Sequence, residues 1–446
     1  MRSGITRQAL RRHRWSLLGP ACTQVVAAVV IATMVDLSHS MDTSLSQAER
    51  AVPTVADILD SASVFLGDAV YLSIVIVAVT MNLAIGRQLR DIALLRSVGA
   101  SPGQIRRSVA LQAAVLAVPA SVTGAMLAVP SCAVWLMALR VHHVLPQRAA
   151  FSWDPVSIVA AAGIVLATSI PASFIAALRT ARMKPATALV DVGVGGRRVS
   201  PLRTLIGVVL AAAGVVLSVV LSTLAPSQMT DAGVFVMLGE CIGVGLLSPI
   251  LLRRAAAICR LVIRSDLVAV AADELETLAR PLSGALIPLV LSGAFAAVKV
   301  GVHTSAAHAG VPDPVEAHWM DYSGTATFIA FAAVAALNCF ITVVVARRRE
   351  LACLQLAGAA RATVVTMVSM QAAIVTISAL LLASAVAVIT LLPLLHSTLH
   401  VWWPYFPPGV MVAGVAAAAV VVAAGMVIPA AVLTRHRPIR VVAATS

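Results

Sequence analysis

The sequence predicts an all-α integral membrane protein of about ten transmembrane helices, arranged 4+2+4 with two parallel four-helix units. Three observations predict it. Hydrophobic residues make up 60% of the 446 and charged residues only 11%, with a mean hydropathy of +0.97. Soluble globular domains carry roughly 25% charged residues, so a bilayer is the solvent this composition fits. Ten apolar runs of spanning length punctuate the chain, and one segment recurs at an offset of 259 residues.

The runs fall near 16–38, 64–86, 108–139, 155–178, 204–224, 232–252, 282–302, 323–346, 363–395 and 409–433. The first follows a basic start, as a secretory signal would. The stretch from Trp15 to Val35 exceeds a signal's apolar core, however, and Asp36-Leu37-Ser38-His39 lacks a small-x-small cleavage site. It is therefore expected to be a retained span. The runs group as a first unit over 1–200, a two-helix linker over 201–262 and a second unit over 263–446. Between about Arg253 and Arg280, Asp266, Asp273, Glu274 and Glu276 mark a polar helical lead into the seventh span.

Charge sets the expected orientation. With the N-terminus inside, 28 of the 32 Lys and Arg fall on inner segments, leaving Arg50, Arg140, Arg148 and Lys299 at or near the outside. This is the positive-inside distribution of a multi-pass membrane protein with both termini cytoplasmic; the near absence of lysine beside abundant alanine and valine suggests a GC-rich bacterial genome, and so a bacterial plasma membrane. The net charge of +13 thus meets anionic membrane lipids, and nucleic acid is excluded as a partner. Six scattered cysteines without C-x-x-C spacing support neither a disulfide framework nor a zinc site.

The repeat sets Arg90-Asp91-Ile92-Ala93-Leu94-Leu95-Arg96-Ser97-Val98-Gly99-Ala100 above Arg349-Glu350-Leu351-Ala352-Cys353-Leu354-Gln355-Leu356-Ala357-Gly358-Ala359. It continues to Gln112-Ala113-Ala114 and Gln371-Ala372-Ala373, with nine identities in 25 positions. Each copy also ends alike, in Arg182-Met183-Lys184-Pro185 and Arg435-His436-Arg437-Pro438. Two intervening spans preserve the inside–outside sense, so the copies should lie parallel about an axis along the membrane normal.

At helical spacing Ile92, Leu94, Leu95 and Val98 form one arc, with Arg90, Arg96 and Ser97 opposite and Asp91 inside the apolar arc. Gly99 suits the left-handed residue that ends a helix. Ser101-Pro102-Gly103-Gln104 then offers an N-cap, a proline at the first helical position and a capping-box partner. A short amphipathic helix, a sharp stop and a long third span result. The second copy keeps the acid (Glu350) and the stop (Gly358) without the Ser-Pro start. One such helix could lie on the inner leaflet; two copies, each with a carboxylate in the arc, favour a protein partner.

RQLRDIALLRSVGASPGQIRRSVALQAA resembles the core of FtsX-like permeases, the MacB-type membrane subunits of ABC transporters, and RRRELACLQLAGAARATVV resembles the same pattern. The ten-helix, two-unit layout is similar to peptide-antibiotic resistance permeases, without the large external domain those carry between the seventh and eighth spans. The resemblance implies that Arg90, Asp91, Leu95, Arg96 and Gly99 in the first copy, and Arg349, Glu350, Leu354 and Gly358 in the second, couple the permease to cytoplasmic ATPases. It implies two ABC ATPase subunits as partners, which would hold the ATP and Mg. No G-x-x-x-x-G-K-[ST] occurs, so this chain is expected to bind no nucleotide, to carry no other cofactor and not to be an enzyme.

Charges within or beside spans are expected to face a cavity or a partner, since hydrocarbon tolerates them poorly. Asp36, Asp68, Glu240 and Lys299 are these candidates, with a hydrogen-bonded structural acid as the competing reading of Glu240. Trp402 and Trp403 stand with Trp319, Tyr405 and Phe406 at the outer boundary, as an aromatic belt or a lip that contacts substrate. Eight histidines fall near that face and could form a metal, haem or proton-sensing site, though polar residues are common at an outer interface; only the adjacent His142-His143 approaches ligand spacing, so no metal site is assigned. Two functions compete. One is a permease driven by ATP hydrolysis that moves an amphipathic peptide or lipid-like substrate outward. The other is a non-transporting module relaying ATPase motion to a cell-wall hydrolase or sensor kinase. A secondary transporter is a third, disfavoured by the paired short helices.

Overall fold

The computed structural model describes residues 14–50, 52–88, 92, 97, 99–142, 145–147, 149–152, 155–182, 200–221, 226–263, 265–311 and 315–435. All regular structure among the described residues is helical: α1 (Arg14–Ser44), α2 (Gln47–Arg50), α3 (Pro53–Arg87), α4 (Pro102–Val141), α5 (Pro155–Arg182), α6 (Pro201–Leu221), α7 (Pro226–Val262), α8 (Asp266–His308), α9 (Val315–Ala346), α10 (Arg348–Leu356), α11 (Arg361–Leu399) and α12 (Pro408–Leu433). Six of these begin at proline, whose fixed φ and missing N–H suit the first helical position. Among the described residues nine helices are long and apolar enough to cross a membrane, and α5 adds a shorter apolar run, Ile158–Pro171. The ten spans expected from the sequence coincide with α1, α3 to α9, α11 and α12, and the chain is a multi-pass membrane protein.

The polar lead before the seventh span is helical. It is formed by the end of α7 and the start of α8, tied by Arg260 Nη1 to Asp273 Oδ1 at 2.8 Å. In α7, Pro249 has no N–H to offer the Gly245 carbonyl one turn before. Ser248 Oγ donates to that carbonyl at 2.7 Å, and Arg203 Nη2 reaches it at 3.4 Å while Arg203 Nε donates to Leu246 O at 3.0 Å. The start of α6 is thereby pinned to α7 just before Pro249.

By packing, the chain divides into two compact units, 1–193 with 312–331, and 194–311 with 332–446. In the first, α4 and α3 pack on α1, and α5 packs against α3 and α4. The Thr23 and Thr80 hydroxyls (3.3 Å) join α1 to α3, and those of Ser73 and Thr168 (3.3 Å) join α3 to α5. The first part of α9 belongs to this unit: Trp135 Nε1 donates to Ser323 Oγ at 3.0 Å, and the Phe65 and Phe328 rings lie 5.5 Å apart. In the second unit, α7 packs against α6, α8 and α11, and α12 rests on α11. The helix pair set apart as a linker in the sequence thus packs within this second unit, where Ser218 Oγ of α6 donates to Ile389 O of α11 at 2.7 Å.

Candidate functional site

The segment singled out in the sequence begins at an elbow. After α3 the backbone turns at Gln88 (φ −93°, ψ 4°), and after α9 it turns at Arg347 (φ −89°, ψ 7°). These positions are equivalent at the repeat offset, and so are their hydrogen bonds. Gln88 N donates to Ile85 O and Ile92 N to Gln88 O; Arg347 N donates to Val344 O and Leu351 N to Arg347 O. The cores beneath also match. Val77, Met81, Ile85, Ile92, Ile105, Val109 and Ala113 form one buried cluster. Their counterparts Ala336, Phe340, Val344, Leu351, Val364, Val368 and Ala372 are all buried too. The duplication is thus a duplication of structure.

The second elbow leads into α10, whose sequence buries Leu351 and Ala352 and leaves Arg348, Arg349, Glu350, Cys353 and Leu356 exposed. Leu354 is half-buried. Glu350, placed by helical spacing in the apolar arc, instead stands at its edge with its side chain 67% exposed, and accepts from Arg347 Nε at 3.0 Å. It sits in the first turn, where the helix dipole favours a carboxylate. Gly358 adopts φ +98°. Ala359 N donates to Leu354 O and Gly358 N to Gln355 O, both at 3.1 Å, the paired bonds of a glycine-terminated helix. Gly99 has the same left-handed backbone, φ +103°. There Ser101 and Gln104 close the expected capping box, so α4 starts at once. Of the first copy, Ile92 is buried, and Ser97 and Gly99 are exposed. Arg90, Asp91, Leu95 and Arg96 lie outside the described residues.

Several residues that sequence reasoning passed over complete the second site. Arg347, 7% exposed, pairs through Nη2 with Glu274 of α8. Its Nη1 donates to Gln371 Oε1 at 3.4 Å, and Gln371 Nε2 donates to Glu274 Oε2 at 2.8 Å. Burial pulls the Arg347 guanidinium below the ordinary arginine range, and the hydrogen bond and charge of Glu350 oppose that. The last carbonyls of α12, unpaired within a helix end, take side chains from this region: Gln355 Nε2 donates to Thr434 O at 3.2 Å and Arg361 Nη2 to Ala431 O at 3.3 Å. The repeat of Gln112 and Gln371 was the available signal for this network.

Replacing Gly358 by Ala puts a side chain on a left-handed residue, a strain of roughly 1–2 kcal/mol. Amides of 354–359 should then exchange faster by hydrogen–deuterium mass spectrometry, while α11 and α12 stay protected. Unchanged exchange would show that the stop does not depend on the glycine.

The other candidates are not gathered at this site. Asp36 on α1 and Asp68 on α3 are buried in the first unit. Lys299, half-buried on α8, belongs to the second. Glu240 is buried in α7, where it packs on Gly214 of α6 so closely that a Cβ there would stand 2.3 Å from its Cγ. Neither of its carboxyl oxygens has a hydrogen-bond partner among the described residues. Trp402 and Trp403 are 60% and 74% exposed in the loop after α11. That loop is fixed beneath them. Thr304 Oγ1 donates to Tyr405 O at 2.6 Å, Tyr405 N donates to Ser305 Oγ at 3.0 Å, and Trp402 stacks on His396 at 3.9 Å.

The sequence model of the FtsX-like permease C-terminal region matches the chain twice, over residues 63–185 and 322–438, together more than half of it. Each match contains one elbow, its short following segment and its glycine stop. A comparison with curated proteins returned no match.

Proposed function

Because the chain belongs to the FtsX-like permease family, a family of ABC transporter-type membrane subunits, we propose that it couples ATP hydrolysis on separate ATPase subunits to outward movement of an amphipathic peptide or lipid-like substrate. One observation carries this reading: the elbow and the glycine stop occur twice, on equivalent cores, in segments whose sequence is rich in arginine. Arg349, Glu350 and the half-buried Leu354 of α10 would meet one ATPase, and Arg90, Asp91, Leu95 and Arg96 the other. On the charge distribution these segments and both termini would face the cytoplasm, and on the arginine-, alanine- and valine-rich composition the membrane would be the bacterial plasma membrane. The ATPases would hold ATP and Mg, this chain contributing no cofactor and no catalytic group. Only residues 309–314 join α8 to α9, too few for a capturing domain, which favours a substrate that enters from the lipid. The exposed Trp402 and Trp403 would meet it at the far boundary.

Two coupling segments in one chain can occupy both docking surfaces of an ATPase dimer. Native mass spectrometry of the detergent-purified complex, formed with its partner ABC ATPase, should therefore give one permease to two ATPases. Two permease chains per ATPase pair would refute the proposal. Lipid- or peptide-stimulated ATP turnover in the reconstituted complex would support transport. Turnover indifferent to both, with binding to an external hydrolase or a sensor kinase, would support the signalling alternative.

A further inference from the structure

The repeat offset equates Gln88 with Arg347 and Gln112 with Gln371, and both pairs make the same contact. Gln88 Nε2 donates to Gln112 Oε1 at 3.5 Å, and Arg347 Nη1 donates to Gln371 Oε1 at 3.4 Å. All four side chains are buried, and the backbone at residues 88 and 347 turns by nearly the same angles, φ −93° and ψ 4° against φ −89° and ψ 7°. What differs is charge. The first contact is amide to amide. The second is a guanidinium held between Glu274 on α8, Gln371 on α11 and Glu350 on α10. A planar guanidinium with several partners is fixed in direction as well as position. A buried ion that loses its partner is strongly destabilised, whereas a neutral amide pair is held by one modest hydrogen bond.

We propose that residues 88 and 347 are elbow latches, positioning residues that set the angle between the second helix of each repeat and the segment that follows, and that the second latch is stiff and ionic while the first is neutral and yielding. Arg347 joins α10 to α8 and α11 together, so displacement of α10 moves three elements as one body. Glu350 is the most exposed member of the network, at 67% against 22% for Glu274. A cation on a partner that engages Glu350 leaves Arg347 on Glu274 and Gln371, so docking does not undo the latch. For its consequence in transport, the inference rests on the coupling reading; the latch itself is a property of this chain.

The test uses the full chain in lipid nanodiscs without any ATPase, read by hydrogen–deuterium exchange of the segments after each elbow, which reports local opening. Arg347→Gln and Glu274→Gln should each speed exchange over 351–359 by roughly tenfold or more. Exchange in the membrane parts of α8 and α11 should stay within about twofold of the unsubstituted protein, as local opening allows. The double variant gives the second unit a neutral contact like that of the first, and should exchange no faster than either single variant. Gln88→Ala should speed exchange over 92–100 only by about threefold, the loss of one neutral hydrogen bond. Arg347→Lys keeps the charge without the fork, so it should fold and still loosen α10. Exchange over 351–359 unchanged in Arg347→Gln or Arg347→Lys would overturn the proposal. So would equal acceleration across the whole second unit, the mark of a general brace, or an additive double variant. Reconstitution with the ATPase separates the two levels. Failure of any complex to form would refute the coupling reading and leave the exchange result standing. Undiminished stimulated turnover in Arg347→Gln, with α10 loosened, would overturn the transmission role.

Discussion

A permease carrying both Asp91→Ala and Glu350→Ala should fold, reach the membrane and fail to couple. Glu350 is exposed at the edge of α10, and Arg347 keeps Glu274 and Gln371 when it is gone, so the latch survives the substitution. A cation on the docked ATPase would instead lose its carboxylate. Truncating one member of a charge pair in a partly buried interface costs about 2–5 kcal/mol. Substrate-stimulated ATP turnover should accordingly fall by roughly 30-fold or more. Thermal unfolding of the purified permease and stimulated turnover of the reconstituted complex are the two measurements. Wild-type turnover from a well-expressed double variant would remove the docking role of both acids.

The second large effect is on stability and falls in the first unit. The closeness of α4 to α1 rests on Gly124. A Cβ there would stand 2.3 Å from the Ala28 Cβ, 2.9 Å from the Val25 carbonyl oxygen and 3.0 Å from the Val29 nitrogen. Two of those atoms are backbone and cannot swing aside, so Gly124→Ala must push the helices apart. Overpacking of this kind costs about 1–3 kcal/mol, occasionally more, and the backbone contacts put Gly124 at the upper end. Gly163 on α5 has nothing within 4 Å of a built Cβ, so Gly163→Ala meets no clash and should not lower the melting midpoint. Thermal unfolding in detergent compares the two. Equal midpoints would show that α1 and α4 can separate without penalty.

These predictions draw unequally on what the sequence shows. The glycine stops were legible because a left-handed residue is a local demand, written in Gly99 and Gly358 without reference to any partner. The capping box at Ser101 was legible for the same reason. Glu350 was misplaced because helical spacing marks an arc and not its margin, and the margin here is set by what α10 rests on. Arg347 was passed over because it counted only as one of the inner arginines, while its meaning depends on Glu274, distant in the sequence and near in the fold.

Membrane spans widen this gap. In a soluble helix the buried stripe appears as a hydrophobic period; in lipid both faces are apolar, and packing is decided by shape and small residues. Composition and run length therefore determined the class and the spans, the 259-residue offset determined the duplication, and the local glycines determined both stops. Only the tertiary structure decided that the first part of α9 packs in the first unit, that the helix pair 201–262 packs in the second, and that Glu240 is pressed on Gly214. It also decided that a buried arginine, equivalent to a glutamine in the other repeat, ties α10 to α8 and α11. Local backbone demands and solvent preference are carried by neighbouring residues, whereas these contacts join positions from 24 to more than 200 apart, which only packing brings together.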